Sequence, residues 1–288
     1  MKIIVKLTIF VFLFISVIFI PSAIACTIIT ASNSETVLFA GNQDQTPVDS
    51  YLVVDKVGTF GVVYFATPWM SNPLVMMKGI NEMGLSYDGN WLSKEKLNSH
   101  PERKPQYEWA ITKLMKEVST VEEVLSVIFT YDWGSSISYQ IHFADKSGDA
   151  VIIHAGTDGE LTYSRKAKGI DYLISTNFNV AKLDKGDWSC WRYSTAEKML
   201  SKIDTENDLT VNFMTSVLNA THQNEMWKTI FSTIYDLKKL RIYLFYNHQF
   251  DNPYIIDVKE ELVKTDVYRK VSLKDLISNR NMNKEKNK

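Results

Sequence analysis

Short apolar runs separated by turn residues constrain this chain more than any other feature. "CTIITA", "TVLFAG", "SYLVVDK", "FGVVYFA", "LVMMKGI" and "GLSYDG" follow one another from Cys26, with Asn33-Ser34, Thr46-Pro47, Gly58 and Asn72-Pro73 between them. Runs of this length bounded by turn formers read as successive antiparallel strands. Between Pro105 and Phe129 the period changes. "QYEWAITKLMKEV" and "TVEEVLSVIF" space their apolar residues by three and four, as helices do, and Thr120 stands where an N-cap belongs. Strands return in "ISYQIHFADKSGDAVIIHA", a hairpin turning at Ser147-Gly148, and in "LTYSR" and "DYLIST". Helical spacing recurs in "CWRYSTAEKMLSKI" and "LTVNFMTSVLNAT". The hairpin "TIFSTIYDLKKLRIYLFYN", then "YIIDV" and a short segment at Leu273–Ile277, close the pattern. Strands, helices, strands, helices, strands is the order of an α+β layered protein and excludes a repeating parallel βαβ design.

Residues 1–25 precede this pattern and read as a cleaved export signal. Lys2 and Lys6 begin it, Leu7 to Ile20 are uncharged and apolar, and Pro21-Ser22 leads into Ala23-Ile24-Ala25, an A-x-A cleavage signature. The apolar run has 14 residues, fewer than the about 20 that a spanning helix needs. The expected product is therefore a periplasmic or secreted protein with no stable membrane insertion. It would start at Cys26 and form one domain over 26–277, with a polar tail at 278–288. Removing Lys2 and Lys6 takes the formal charge from −1 to −3. There is no basic block for nucleic acid, no zinc-ligand spacing and no glycine-rich phosphate loop, so no cofactor, metal or nucleic-acid partner is expected.

The chain has two cysteines, Cys26 and Cys190. In an exported protein their ordinary fate is a disulfide. A cysteine directly behind a cleavage site is also the place where bacterial lipidation occurs, although Ala23 stands where such signals usually carry leucine. A third reading gives Cys26 a chemical role as the first residue of the mature chain. A thiol becomes a nucleophile only once deprotonated. A free α-amine, with a pKa of roughly 7.7–8.0, is a base built into the same residue. No histidine is then needed. His142 and His154 fall on predicted strands, where packing accounts for them.

The mature start "CTIITASNSETVLFAGNQDQT" resembles the opening of the choloylglycine hydrolase and penicillin V acylase family of linear amide hydrolases, in a branch similar to isopenicillin N acyltransferase. The family's Gly-Arg-Asn-x-Asp-like turn matches Ala40-Gly41-Asn42-Gln43-Asp44. "KGINEMGLSYDGNWL", "LISTNFN" and "SCWRY" match three later family segments in order, so the resemblance spans essentially residues 26–275. It implies a four-layer αββα sandwich of the N-terminal nucleophile hydrolases, often oligomeric, acting on a small-molecule acyl amide. Carried over by position, Cys26 attacks the amide carbonyl with its α-amine as general base, and Asp44 holds that amine. Asn177 donates to the oxyanion, and Asn90 (or Trp91, if the match slides by one) is a second donor. Arg192 favours the thiolate. The chain departs from the pattern at Gly41, where the family carries arginine, so a cation expected beside the thiolate is missing.

Trp69, Met70, Met76, Met77, Tyr87, Trp91 and Trp133 fall in loops and strands beside the expected site, where they would suit an apolar acyl pocket. Core packing explains such residues equally well, and none is assigned a binding role. Asn219-Ala220-Thr221 matches a glycosylation sequon. The expected activity is hydrolysis through a thioester on Cys26. Acyl transfer through the same thioester and a non-catalytic secreted or lipid-anchored binding protein are the alternatives. A Cys26–Cys190 disulfide would be a means of switching the thiol off.

Overall fold

The computed structural model describes residues 26–69, 72–106, 110–166, 171–185, 190–224 and 227–278. The expected signal segment lies outside these residues, as do Met70 and the tail beyond 278. Sixteen strands make up three sheets among the described residues. The first sheet has β1 (Thr27–Ser32), β2 (Val37–Asp44), β12 (Asp171–Ser175), β13 (Thr229–Asp236), β14 (Arg241–Tyr246) and β15 (Tyr254–Asp257), in the order β12-β1-β2-β13-β14-β15. The second has β3 (Tyr51–Asp55), β4 (Val62–Trp69), β5 (Asn72–Asn81), β6 (Ser86–Lys96), β9 (Ser136–Ala144), β10 (Ala150–Ala155), β11 (Leu161–Arg165) and β16 (Tyr268–Ser272). Its order is β11-β10-β9-β6-β5-β4-β3-β16. Every pairing in both sheets is antiparallel. A small parallel pair, β7 (Lys104–Pro105) with β8 (Tyr131–Asp132), stands apart.

Helices cover the outer face of each sheet. Against the second sheet lie α1 (Ala110–Met115) and α2 (Val121–Ile128), and against the first lie α3 (Trp191–Leu200) and α4 (Val211–Thr221). A short α5 (Val258–Val263) follows β15. The strands read as unbroken apolar runs because both of their faces are buried. In β2, Val37 and Phe39 enter the layer between the sheets, while Leu38 and Ala40 meet α3 and α4. In β4, Val63 and Phe65 enter that same layer, and Val62, Tyr64 and Ala66 meet α1 and α2. Helix, sheet, sheet, helix is the expected αββα order. Thr120 caps α2 in a full capping box with Glu123, which satisfies orphan amide groups at both ends of that turn. The β9–β10 hairpin turns at Gly148, whose φ of 90° puts it in the region that favours glycine.

The pairing of β16 with β3 and the helix α5 have no counterpart in the periodicity, since each is only five or six residues long.

Candidate active site

Antiparallel register brings the site together. In the β1–β12 ladder Ile28 lies opposite Ser175, and two further steps put Asn177 abreast of Cys26. The Cys26 nitrogen donates to Asn177 Oδ1 at 2.6 Å. On the other side of β1, Thr27 pairs with Asn42 and Ile28 with Gly41, which delivers Asp44 from the end of β2. The facing sheet contributes Asn90, whose Nδ2 reaches across the layer to the Cys26 carbonyl oxygen at 3.2 Å. The second residue of α3 is Arg192. Its Nη1 donates to the Cys26 carbonyl at 2.7 Å and to Thr27 Oγ1 at 3.2 Å, and its Nη2 donates to Asn177 Oδ1 at 3.2 Å. Four elements distant in sequence thus meet at one residue.

The arrangement fixes the amide of Asn177. Two donors point at one end of its side chain, so that end is the oxygen, and Nδ2 donates to the Trp91 carbonyl at 2.8 Å. Asn177 therefore orients the Cys26 nitrogen, a contact the sequence assigned to Asp44. The Asp44 carboxylate takes its hydrogen bonds elsewhere, from Thr229 Oγ1 and from Gln223 Nε2 at 3.0 Å, with Arg192 Nη1 3.8 Å away. Burial pushes Asp44 up to about 6; the Thr229 hydroxyl, Arg192, Gln223 and Lys78 pull the other way.

Asn90, not Trp91, faces Cys26. Asn90 is fully buried, and Gln140, its cross-strand neighbour, donates to its Oδ1 at 3.4 Å. Trp91 points outward and is 39% exposed. The apolar residues near the site in sequence divide similarly. Tyr87, Met76 and Trp133 pack on the helix side of the second sheet, and the Tyr87 hydroxyl donates to the Met76 carbonyl. They belong to the core between that sheet and α1–α2.

Cys26 is 2% exposed. Burial, then Asp44 and Asp88, push its thiol up to about 12, against Lys78 and the Asp44 backbone N–H. Both cysteines are free, Cys190 as the N-cap residue of α3 without a side-chain cap bond; no disulfide joins them. His142 bonds Thr30 Oγ1 and Ser175 Oγ, and burial pushes it down to about 3, so it is a neutral packing group as expected. Among the described residues no three His, Cys, Asp or Glu side chains gather to hold a metal ion. The sequence reading did not identify Lys78, Asp88, Thr229 or Gln223 as parts of the site.

Two stacked antiparallel sheets between helix layers, with a cysteine at the head of a central strand, define the N-terminal nucleophile hydrolase fold. A variant of conjugated bile acid hydrolase from Clostridium perfringens shares it at a TM-score of 0.65 and 13% identity, covering 86% of this chain and 97% of that one. Penicillin V acylase from Agrobacterium tumefaciens does so at a TM-score of 0.58 and 15% identity, covering 86% and 91%. The sequence matches the acyl-coenzyme A:6-aminopenicillanic acid acyl-transferase family over residues 31–251, and the chain belongs to that family. A sequence comparison with curated proteins found no match.

Proposed function

We propose that this chain is an exported cysteine N-terminal nucleophile enzyme that cleaves a small linear acyl amide. The observation that carries the reading is the convergence of Asn177, Arg192 and Asn90 on the backbone of Cys26, with Asp44 behind them. A cysteine that only packs has no need of a guanidinium and two amides fixed on its own nitrogen and carbonyl oxygen.

Before cleavage at Ala25–Cys26 the Cys26 nitrogen is an amide and cannot act as a base. Cleavage turns it into an amine that Asn177 Oδ1 already orients. The amine then takes the thiol proton, and the new ammonium beside the sulfur offsets the burial that holds the thiol up. The thiolate attacks the substrate carbonyl carbon, and the oxyanion takes the free N–H groups of Asn177 and Asn90. As the C–N bond breaks, the ammonium returns its proton to the leaving amine, and a thioester remains on Cys26. Water then attacks the thioester, which releases the acid and regenerates the thiol. Ionised Asp44 keeps Arg192 in place through this cycle.

The family that the sequence matches is named for an acyl-transferase, which supports a second reading in which an amine takes the acyl group from the same thioester. Intact mass and N-terminal sequencing of the exported protein come first, followed by turnover of acyl amides with and without an acceptor amine. The proposal expects a chain that begins with unmodified Cys26, alkylates at that residue and releases free acid. Acylated acceptor in excess of acid selects transfer. Cys26 carrying lipid, or lying behind retained signal residues, rejects the α-amine mechanism in favour of a binding protein.

A further inference from the structure

Lys78 and Asp88 form an ion pair at 2.6 Å in the layer between the sheets, with side chains 0% and 2% exposed. The β5–β6 hairpin places them there. Its paired residues are Ile80 with Ser86 and Gly79 with Tyr87, and one step further the same register sets Lys78 beside Asp88. Both point across the layer at Gly41. A Cβ on Gly41 would lie 2.8 Å from Asp88 Oδ2, 3.2 Å from Lys78 Nζ and 3.2 Å from the Thr27 carbonyl oxygen. The missing side chain of β2 and the two charges of the facing sheet therefore occupy one space, next to the residue that follows Cys26. The Lys78 ammonium also lies 5.6 Å from the centre of the Phe231 ring.

A buried ion pair is poor evidence of a stabilising device, because desolvation commonly offsets the attraction. Apolar residues would fill this layer at least as well, as they do around Phe39 and Phe65. The pair's position calls for another reason, and the geometry points to one: Lys78 is a positioning residue of the Cys26 site, a cation delivered from β5 into the space that Gly41 leaves open on β2. Asp88 is its anchor and counter-charge. This inference rests on the proposed function, in which Cys26 must become a thiolate.

The other charged and titratable groups around this space are Asp44 from β2, Arg192 from α3, Tyr235 from β13 and His142, the cross-strand neighbour of Asp88 on β9. Lys78 lowers both the Cys26 thiol and Asp44, whereas Asp88 raises the thiol more strongly than Lys78 lowers it. The resting pair therefore leaves the thiol protonated, and the cation is felt fully only where Asp88 is neutral. Burial pushes Asp88 up, while Lys78 and the Gly89 backbone N–H pull it down.

The test is the pH dependence of Cys26 alkylation by iodoacetamide, measured by mass on mature protein, in a set of variants that separates the two charges. Asp88→Asn keeps the cation without its opponent. Its apparent thiol pKa should fall below both wild type and Lys78→Met/Asp88→Asn, by about one unit or more, which is a tenfold gain in alkylation rate below that pKa. Lys78→Ala/Asp88→Ala/Gly41→Arg moves the cation to β2, and it should alkylate at lower pH than Lys78→Ala/Asp88→Ala. If Asp88→Asn and Lys78→Met/Asp88→Asn coincide, or the relocated arginine changes nothing in a folded protein, the assignment is overturned. Thermal unfolding of each variant separates misfolding from chemistry, and Lys78→Arg should retain the wild-type profile. No substrate enters this readout. Wild type that turns over no acyl amide while these shifts appear would reject the enzyme and leave the cation's role standing.

Discussion

Two regions of the layer between the sheets are equally dry and differently built. Around Phe39, Phe65, Phe231 and Tyr235 the space is filled by aromatic rings at centroid distances of 5.4 to 6.3 Å. Around Cys26 the second sheet buries Lys78, Asp88, Asn90 and Gln140, with Asp44 of β2 and Arg192 of α3 behind the residue. The first region gains from every apolar area it removes from water. In the second each polar group loses hydration and recovers it only through fixed partners. The aromatic part therefore supplies the layer's stability, and in the proposed function the polar part supplies its chemistry. Removing a side chain from one should leave the property of the other nearly unchanged.

The largest separation comes from the nucleophile. Cys26→Ala should reduce acyl-amide turnover to background with the midpoint of thermal unfolding little changed, because the residue is small and its carbonyl oxygen and nitrogen keep their bonds. Loss of the fold in this variant would break the comparison. Phe65→Ala should do the opposite, costing about 3–5 kcal/mol in denaturant unfolding through the cavity it opens. The remaining folded fraction should keep its turnover rate per active site. Asn177→Ala comes next. It should cost about 10²–10³ in kcat, as loss of an oxyanion donor does, and it should also change the pH profile, because the Cys26 nitrogen loses its acceptor.

The legibility of the two regions in the sequence differs for the same reason. The aromatic part follows from local pattern, since an apolar run buried on both faces reads as a strand whatever it packs on. Cys26, Asn177 and Arg192 were legible through ordered motifs and through an unusual place for a cysteine. The roles of Asp44 and Asn177 were not, because which of them meets the Cys26 nitrogen depends on ladder register and on Arg192 sharing Asn177 Oδ1. Lys78 and Asp88 lie in the segment "KGINEMGLSYDGNWL", and neither was given a role from the sequence. A signal was present all the same. They are opposite charges at equal distances from the turn, and register alone would pair them. Thr229 and Gln223 left no such trace, since they reach Asp44 from about 180 residues away in sequence.

His142 offers a measurement on the boundary between the two regions, with its ring edge-on to Phe39 at 5.4 Å and its nitrogens on Thr30 and Ser175. Its folded value is about 3, below the ordinary 6.5. As pH falls through 6.5 the unfolded chain takes a proton that the folded chain refuses, and stability drops until about 3. From this group alone the folded state should lose about 2 kcal/mol between pH 7 and pH 5. His142→Gln should flatten that slope in urea midpoints across the range, and an unchanged slope would remove His142 as its source.

The smallest expected effect tests whether the polar region is tuned as well as assembled. The folded value of Asp44 is raised to about 6 from 3.8, with burial as the largest cause. The sign for stability is the reverse of that for His142. The contribution of Asp44 is fully present below about 3.8 and is lost as pH rises through about 6, so the group opposes folding at neutral pH while serving the site as an anion. Turnover should accordingly fall on the acid side with an apparent pKa near 6. Thr229→Val removes the hydroxyl donated to the carboxylate. The acid limb should then move to higher pH by a fraction of a unit, while Thr229→Ser, which keeps the hydroxyl, should stay with wild type. A limb that stays put in Thr229→Val while thermal stability falls would make Thr229 a packing residue, and the polar region would then depend on Arg192, Gln223 and Lys78 to keep Asp44 ionised.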